Sequence, residues 1–279
     1  MIDLQAHKTF SKYGIHSVGV TGLRYQSKFA DEHLGIILEH SHSPQMITAF
    51  WKLGVSLSNE QRATHMSRFV DELHQFTKTS WTFSALSKLS ESVRKRLEAD
   101  EAEVSTNFVW FAPLKAPVSG QEALMSYDVA FSSSVSSRCA EKNFSCMSII
   151  VPVTALCPCS KAISERGAHN QRAAVNIQIK YQSAAQTPSI QSFIDIINTS
   201  GSSPVYSLLK REDEKFVTEK AYDNPVFVED LVRNIIEKLD EMKLNKTCTA
   251  LSISVSAVDR ESIHAHDCYA ELTLDYQEK

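Results

Sequence analysis

An α+β protein built largely on antiparallel sheet is the fold class this sequence predicts, and three patterns carry that expectation. Near the C-terminus Leu251, Ile253, Val255 and Ala257 alternate with Ser252, Ser254 and Ser256, the period of two of a half-buried strand. Between strand-like runs, Val228, Leu231, Val232, Ile235, Ile236, Leu239 and Met242 recur at helical spacing, which predicts an amphipathic helix with a broad apolar stripe. The runs 107–118 and 123–135 flank Ser119-Gly120 and read as a hairpin, a connection open only to antiparallel neighbours. Strands, interspersed helix pairs and hairpin links give the α+β class.

In the first half, residues 18–25 and 47–57 read as strands. Thr64 stands where it can cap a helix carrying Met66, Phe69, Val70, Leu73 and Phe76, and a second helix is expected over 84–99, with Leu86, Leu89, Val93 and Leu97 on one face. In the second half, 144–156 and 173–181 read as strands on either side of a Cys- and His-containing segment. Asn224 followed by Pro225 predicts the start of the long helix, because a proline at the first helical position gives up a donor that has no partner there. The last strand covers 268–276. The halves are similar in layout, so two modules are expected, 1–140 and 141–279, joined near Ser136 to Asn143.

The chain has 279 residues, 43% hydrophobic and 22% charged, an ordinary globular composition. No apolar run reaches the roughly 18 residues that span a bilayer, and Met1 to Lys12 lacks the apolar core of a signal peptide. Six cysteines in a chain of this length, two beside a His-containing loop, fit a reducing compartment, so a cytoplasmic protein is expected. A net charge of −4 supplies no general attraction to nucleic acid or to an anionic membrane. A polyanionic ligand would need local cations: Arg24, His65 with Arg68, Lys161, Arg172, or Lys210 to Lys215.

Four clusters hold groups able to do chemistry. The first is Cys157-Pro158-Cys159-Ser160-Lys161 with Gly167-Ala168-His169-Asn170-Gln171-Arg172. A buried thiol pair is commonly just packing, but the polar company of Ser160, Lys161, Glu165, Arg166, His169 and Asn170 suits a metal or nucleophile site better. An extended chain there would point Cys157 and Cys159 to one side. The second cluster, Thr64 to Phe69, puts His65 and Arg68 on the opening turn of a helix, where free amides favour anions. In the third, Arg211 to Lys215 and onward to Asp230, a charge run normally marks a solvated face, yet Glu229 near a helix start would be an ionised acceptor suited to a pair of N–H donors. In the fourth, Glu261 to Asp267, His264 and His266 are two apart and can share a face as ligand and acid/base pair.

Taken together, and with Val18-Gly19-Val20-Thr21-Gly22-Leu23-Arg24-Tyr25 and Glu261-Ser262-Ile263-His264-Ala265-His266, these motifs resemble GTP cyclohydrolase I of the type IB family over nearly the whole chain. The resemblance implies the tunnelling fold (T-fold), with two tandem modules of antiparallel sheet carrying helices on one face, and a homotetramer with interfacial active sites. It implies hydrolytic opening of the guanine ring of GTP at C8, loss of formate and closure to 7,8-dihydroneopterin triphosphate, the entry to folate synthesis. By the same resemblance Cys157 and His169 are metal ligands, with Glu214 as a further ligand or water-positioning group. Cys157 joins His264 and His266 in the catalytic set, Glu229 anchors the guanine edge, and His65, Arg68 and Lys161 meet the triphosphate. The donor set suits a divalent zinc, manganese or iron ion. Ala63, Ala173 and the irregular Asp31 to Pro44 stretch depart from the family pattern. Two other readings stand beside this one: a T-fold nitrile reductase using Cys157 as nucleophile without metal, and a non-catalytic zinc module closed by Cys157, Cys159, His169 and a fourth ligand. A related enzyme releasing a cyclic phosphate product also stays open, as do the division of roles between His264 and His266 and ligation by Cys159.

Overall fold

In a computed structural model of the protein, residues 11–33, 36–37, 44–182, 187–247 and 249–276 are described. In chain order the elements are β1 (Ile15–Phe29), β2 (Glu32–His33), β3 (Ile36–Ile37), β4 (Gln45–Leu57), α1 (Met66–Thr77), α2 (Leu86–Arg96), β5 (Glu101–Lys115) and β6 (Glu122–Ser136). There follow β7 (Phe144–Leu156), α3 (Pro158–Ile163), β8 (Asn170–Tyr181), α4 (Ile190–Asn198), β9 (Ser203–Pro204), α5 (Arg211–Asp223), α6 (Val228–Glu241), α7 (Leu244–Thr247), β10 (Ala250–Asp259) and β11 (Cys268–Asp275). Nine strands form one sheet in the order β1-β4-β5-β6-β7-β8-β10-β11, with β9 paired to β7, and the pairs β1–β4, β4–β5 and β10–β11 are antiparallel. The α+β class is therefore as the sequence predicts. Part of the irregular Asp31 to Pro44 stretch lies outside the described residues.

By compactness the chain divides into two units, one formed from Met1–Val109, Ala130–Met147 and Lys180–Thr187, the other from Trp110–Val129, Ser148–Ile179 and Pro188–Lys279. The first is centred on aromatic rings: Phe29, Trp81, Phe108 and Phe131 meet pairwise at centroid distances of 4.8 to 6.4 Å, and Phe83 meets Phe131 in a tilted contact at 4.7 Å. Each such ring removes a large apolar area from water and gains a further edge-to-face or offset contribution. The glycines of the Val18 to Tyr25 motif have a backbone role in this unit. A Cβ on Gly19 would stand 1.9 Å from the Leu53 carbonyl oxygen, and Gly22, at φ +72°, sits where the β1–β4 register shifts between Val20 and Leu23. Only glycine takes that left-handed conformation without strain, so this motif builds a bulge.

In the second unit α6 buries Val228, Leu231, Val232, Ile235, Ile236 and Leu239, the stripe expected from sequence, each contributing roughly 1.5–3 kcal/mol of apolar burial. Its start is corrected. Asn224 does not open α6 but closes α5, its backbone N–H and its side-chain amide both donating to the Lys220 carbonyl, at 3.1 and 3.0 Å. Phe227 is the residue at the α6 boundary. Thr64 likewise is not the cap of α1; that place is taken by His65, whose side chain makes no capping bond. The helix over 84–99 begins as a 3₁₀ turn, Phe83–Ala85, and continues as α2. The charge run 211–223 forms α5, a helix with only Asp213 and Ala221 buried and hence no apolar stripe to announce it.

Candidate functional site

The site is assembled in the second unit where β7 ends and β8 and β10 lie side by side. The buried face of β8 carries Gln171, Ala173, Val175, Ile177, Ile179 and Tyr181; that of β10 carries Ile253, Val255, Ala257 and Asp259. In both strands the apolar alternation terminates in a polar residue, Gln171 at one end and Asp259 at the other, and the Arg260 N–H donates to the Arg172 carbonyl beside them at 2.9 Å. These polar ends, not the apolar middles, meet the Cys/His segment.

Cys157 leaves β7 and becomes the N-cap of α3, with Pro158 at the first helical position and the Ser160 N–H donating to Cys157 Sγ at 3.4 Å. The extended Cys-x-Cys arrangement expected from sequence is thereby corrected: Cys159 lies on the helix and is exposed, because proline at N1 starts a turn immediately after Cys157. His169 is tied back to the start of α3 twice and to β8 once. Its carbonyl accepts from Cys157 N–H at 3.1 Å, its N–H donates to Ser160 Oγ at 3.1 Å, and its Nδ1 lies 2.8 Å from Gln171 Oε1. Ser160 thus braces both candidate ligands, its hydroxyl also donating to the Cys157 carbonyl at 3.2 Å.

Behind the imidazole stand two carboxylates. Glu261 Oε2 is 3.7 Å from His169 Nδ1, and Gln171 bonds the Asp259 side chain. Glu261 Oε2 and Asp259 Oδ1 are buried with no hydrogen-bond partner among the described residues. Burial pushes the Asp259 carboxyl up to about 6; the Gln171 hydrogen bond opposes this and the nearby charges of Glu261 and Glu229 reinforce it. Burial and then the Glu261 carboxylate likewise push the Cys268 thiol up. In the exposed loop after β10, His264 and His266 stack at 5.2 Å and an interplanar angle of 15°, and the His264 ring meets that of His169 edge-on at 6.2 Å.

Of the expected residues, then, Cys157, His169, His264 and His266 come together, and Glu229, exposed on the first turn of α6, lies near enough for its charge to act on Asp259 and Cys268. Glu214 is exposed on the first turn of α5, where its neighbour Asp213 is the buried residue. Lys161 bonds the Tyr222 carbonyl and covers the Tyr222 ring at 4.3 Å, fastening α3 to the end of α5. In the first unit Arg68 Nη1 donates to the Arg96 carbonyl at 3.4 Å, and His65 stands at the α1 boundary. Ser160, Gln171 and Glu261 lie inside the sequence motifs but have no role assigned there, and Asp259 lies outside them; the signal for Gln171 and Asp259 is a polar residue on the buried parity of an apolar strand.

Thiolate, imidazole and carboxylate donors fit a divalent transition metal, and a buried carboxylate oxygen without a hydrogen bond beside His169 is the kind of atom such an ion satisfies. Among the described residues no three His, Cys, Asp or Glu side chains are drawn together as a finished metal shell.

Comparison with known proteins places the chain as follows. The family profile described as type I GTP cyclohydrolase folE2 matches residues 1–270. "GTP cyclohydrolase FolE2" of Geotalea uraniireducens is 39% identical over 279 residues, covering 100% of this chain and 95% of that protein. The protein of the same name from Akkermansia muciniphila is 40% identical over 274 residues, covering 98% and 97%. Among solved structures, uricase from Arthrobacter globiformis superposes with a TM-score of 0.55 at 8% identity, covering 97% of each chain. Urate oxidase from Bacillus sp. TB-90 does so at 0.52 and 10%, covering 94% of this chain and 100% of that one. These two share the fold alone.

Proposed function

We infer the activity from one premise: the chain belongs to the type I GTP cyclohydrolase FolE2 family. It converts GTP and water to 7,8-dihydroneopterin triphosphate and formate, the first step of tetrahydrofolate biosynthesis. The observation that carries this reading is the match over residues 1–270, joined to the meeting of Cys157, His169 and the His264/His266 pair in one place. The nitrile reductase alternative falls with the family assignment.

In this reading Cys157 and His169 hold a zinc, manganese or iron ion, with a carboxylate completing the set; Glu214 was the expected donor, and Glu261 is the one beside His169. Such an ion, when bound, supplies water acidic enough to deliver hydroxide near neutral pH. Glu229 accepts from the N–H edge of guanine. One of His264 and His266 passes a proton to the purine ring nitrogen as the C8 bond opens, and the stacked partner keeps it oriented. Lys161, His65 and Arg68 meet the triphosphate. We also propose that the strand, helix and strand order of β1 to β6 and its repeat over β7 to β11 reflect two tandem modules, 1–140 and 141–279, and that the protein works in the cytoplasm as a homotetramer. No helix among the described residues is long and apolar enough to cross a membrane.

The test is incubation of metal-stripped protein with GTP, with and without Mn²⁺ or Zn²⁺, following formate and pterin fluorescence after oxidation. Metal-dependent formate with a fluorescent pterin is expected. Tight zinc binding without turnover under any divalent metal would instead favour the structural zinc module.

A further inference from the structure

We propose that Gln171 is a positioning residue for His169: it holds the imidazole with its proton on Nδ1, so that the lone pair on Nε2 is the one offered to the site. The inference rests in part on the reading of His169 as a metal ligand, but its central statement concerns the metal-free protein.

The argument is one of hydrogen-bond satisfaction. Gln171 is buried at the end of the β8 face and its amide reaches two groups, His169 Nδ1 at 2.8 Å and the Asp259 side chain on the neighbouring strand. A primary amide has one donor end and one acceptor end. Asp259 is itself buried and, when ionised, can only accept, so it claims the amide NH₂. That leaves Gln171 Oε1 facing His169, and a carbonyl oxygen there can only accept. His169 Nδ1 must therefore carry the hydrogen. With the amide reversed, two acceptors would face each other across a buried gap on one side, leaving a buried hydrogen bond unmade. The Glu261 carboxylate, 3.7 Å from the same nitrogen, is too distant for a hydrogen bond but favours a proton on Nδ1 as well.

The consequence follows from the chemistry of ligand histidines. A carbonyl or carboxylate behind the far nitrogen fixes the tautomer and raises the basicity of the ligating one, and loss of such a partner weakens metal binding roughly 10–100-fold. Asp259 in this arrangement holds Gln171, and Gln171 holds His169. The buried carboxylate thereby acts on the site through a neutral amide and not by direct contact.

The experiment is a two-bond nitrogen–proton correlation spectrum of the ¹⁵N-labelled, metal-free protein at about pH 8, above the ordinary imidazole range. The His169 signals are identified by their loss in His169→Gln. The wild-type ring is expected as the Nδ1–H tautomer; an Nε2–H ring would overturn the inference outright, whether or not any variant folds. In Gln171→Leu, which fills the same space without an acceptor, the ring is expected to shift toward Nε2–H and Mn²⁺ affinity, measured by calorimetry, to fall roughly 10–100-fold. Gln171→Glu, which keeps an acceptor oxygen, is expected to restore the Nδ1–H form. Retention of the wild-type tautomer in Gln171→Leu would transfer the role to Glu261 and sink the proposal. If wild-type protein takes up no divalent ion, the ligand reading fails, while the tautomer spectra still decide the part played by Gln171.

Discussion

Asp213 at the start of α5 and Asp259 at the end of β10 are both buried carboxylates, 0% and 3% exposed, and their surroundings treat them in opposite ways. Asp213 accepts from the Val118 and Ser119 amides at 2.9 and 2.8 Å, from the Ser119 hydroxyl at 2.7 Å and from the Lys210 amide at 2.9 Å. Burial alone would raise its pKa, but this set of donors outweighs burial and holds the carboxyl well below the usual range. Asp259 has the Gln171 amide and an oxygen with no bond, and burial pushes it up to about 6. A carboxylate whose every lone pair is met is a structural pin. One left partly unmet beside an imidazole and a second carboxylate is arranged for something other than stability.

Substitutions at the two places should accordingly separate chemistry from folding. The largest effect is expected at the loop after β10. His264→Ala or His266→Ala, whichever removes the acid/base group, should lower kcat by roughly 10²–10⁴-fold with the melting temperature unchanged, since both rings are exposed. Steady-state formate release beside a thermal melt checks this, and equal loss in both measurements would erase the distinction. Next, Asp213→Ala should lower the melting temperature by several degrees, because it strands four donors at the 117–120 turn and the α5 start, while kcat per folded molecule holds.

The pH dependence sharpens the same contrast. For Asp213 the folded pKa lies below the unfolded one, so its contribution is complete at neutral pH and is lost as pH falls from about 4 toward the folded value. Asp213→Asn should flatten that acid limb in denaturant titrations. For Asp259 the folded value, about 6, lies above the unfolded one, so the folded state binds more protons between about pH 4 and 6 and this group lowers stability as pH rises through that window. Asp259→Asn in metal-free protein should remove that opposite slope. The smallest effect is expected for Lys161→Ala. Its contact with Tyr222 is partly exposed and is worth about 1 kcal/mol or less, so the melting temperature should hold while KM for GTP rises, and an unchanged KM would remove Lys161 from the triphosphate contacts.

Much of this was legible from residue order. The strand over 144–156 is legible as a short apolar run centred on Ile149 to Val153, and the α6 stripe because it repeats over four turns. Sequence and structure differ where local rules admit two outcomes. Asn224-Pro225 satisfies the pattern of a helix start, yet the same Asn side chain serves equally to donate to a carbonyl at the end of α5. Cys157-Pro158-Cys159 follows a strand and was continued as one, although proline there can also open a turn, as it does. The run 211–223 has no apolar periodicity, so nothing local distinguished a helix held by one buried aspartate from a solvated loop.

By itself the sequence determined the α+β class, the periodic elements, and the residue types of the site, because period and composition are properties of a short window. It also placed Cys157, His169, His264 and His266 in motifs. The tertiary structure decided which of those residues meet, and that Gln171 and Asp259 stand behind them. Those two are far apart in the chain, and only the pairing of β8 with β10 brings the polar ends of their buried faces together. Hydrogen bonding across strands acts over a few ångströms in space and has no signature in sequence distance.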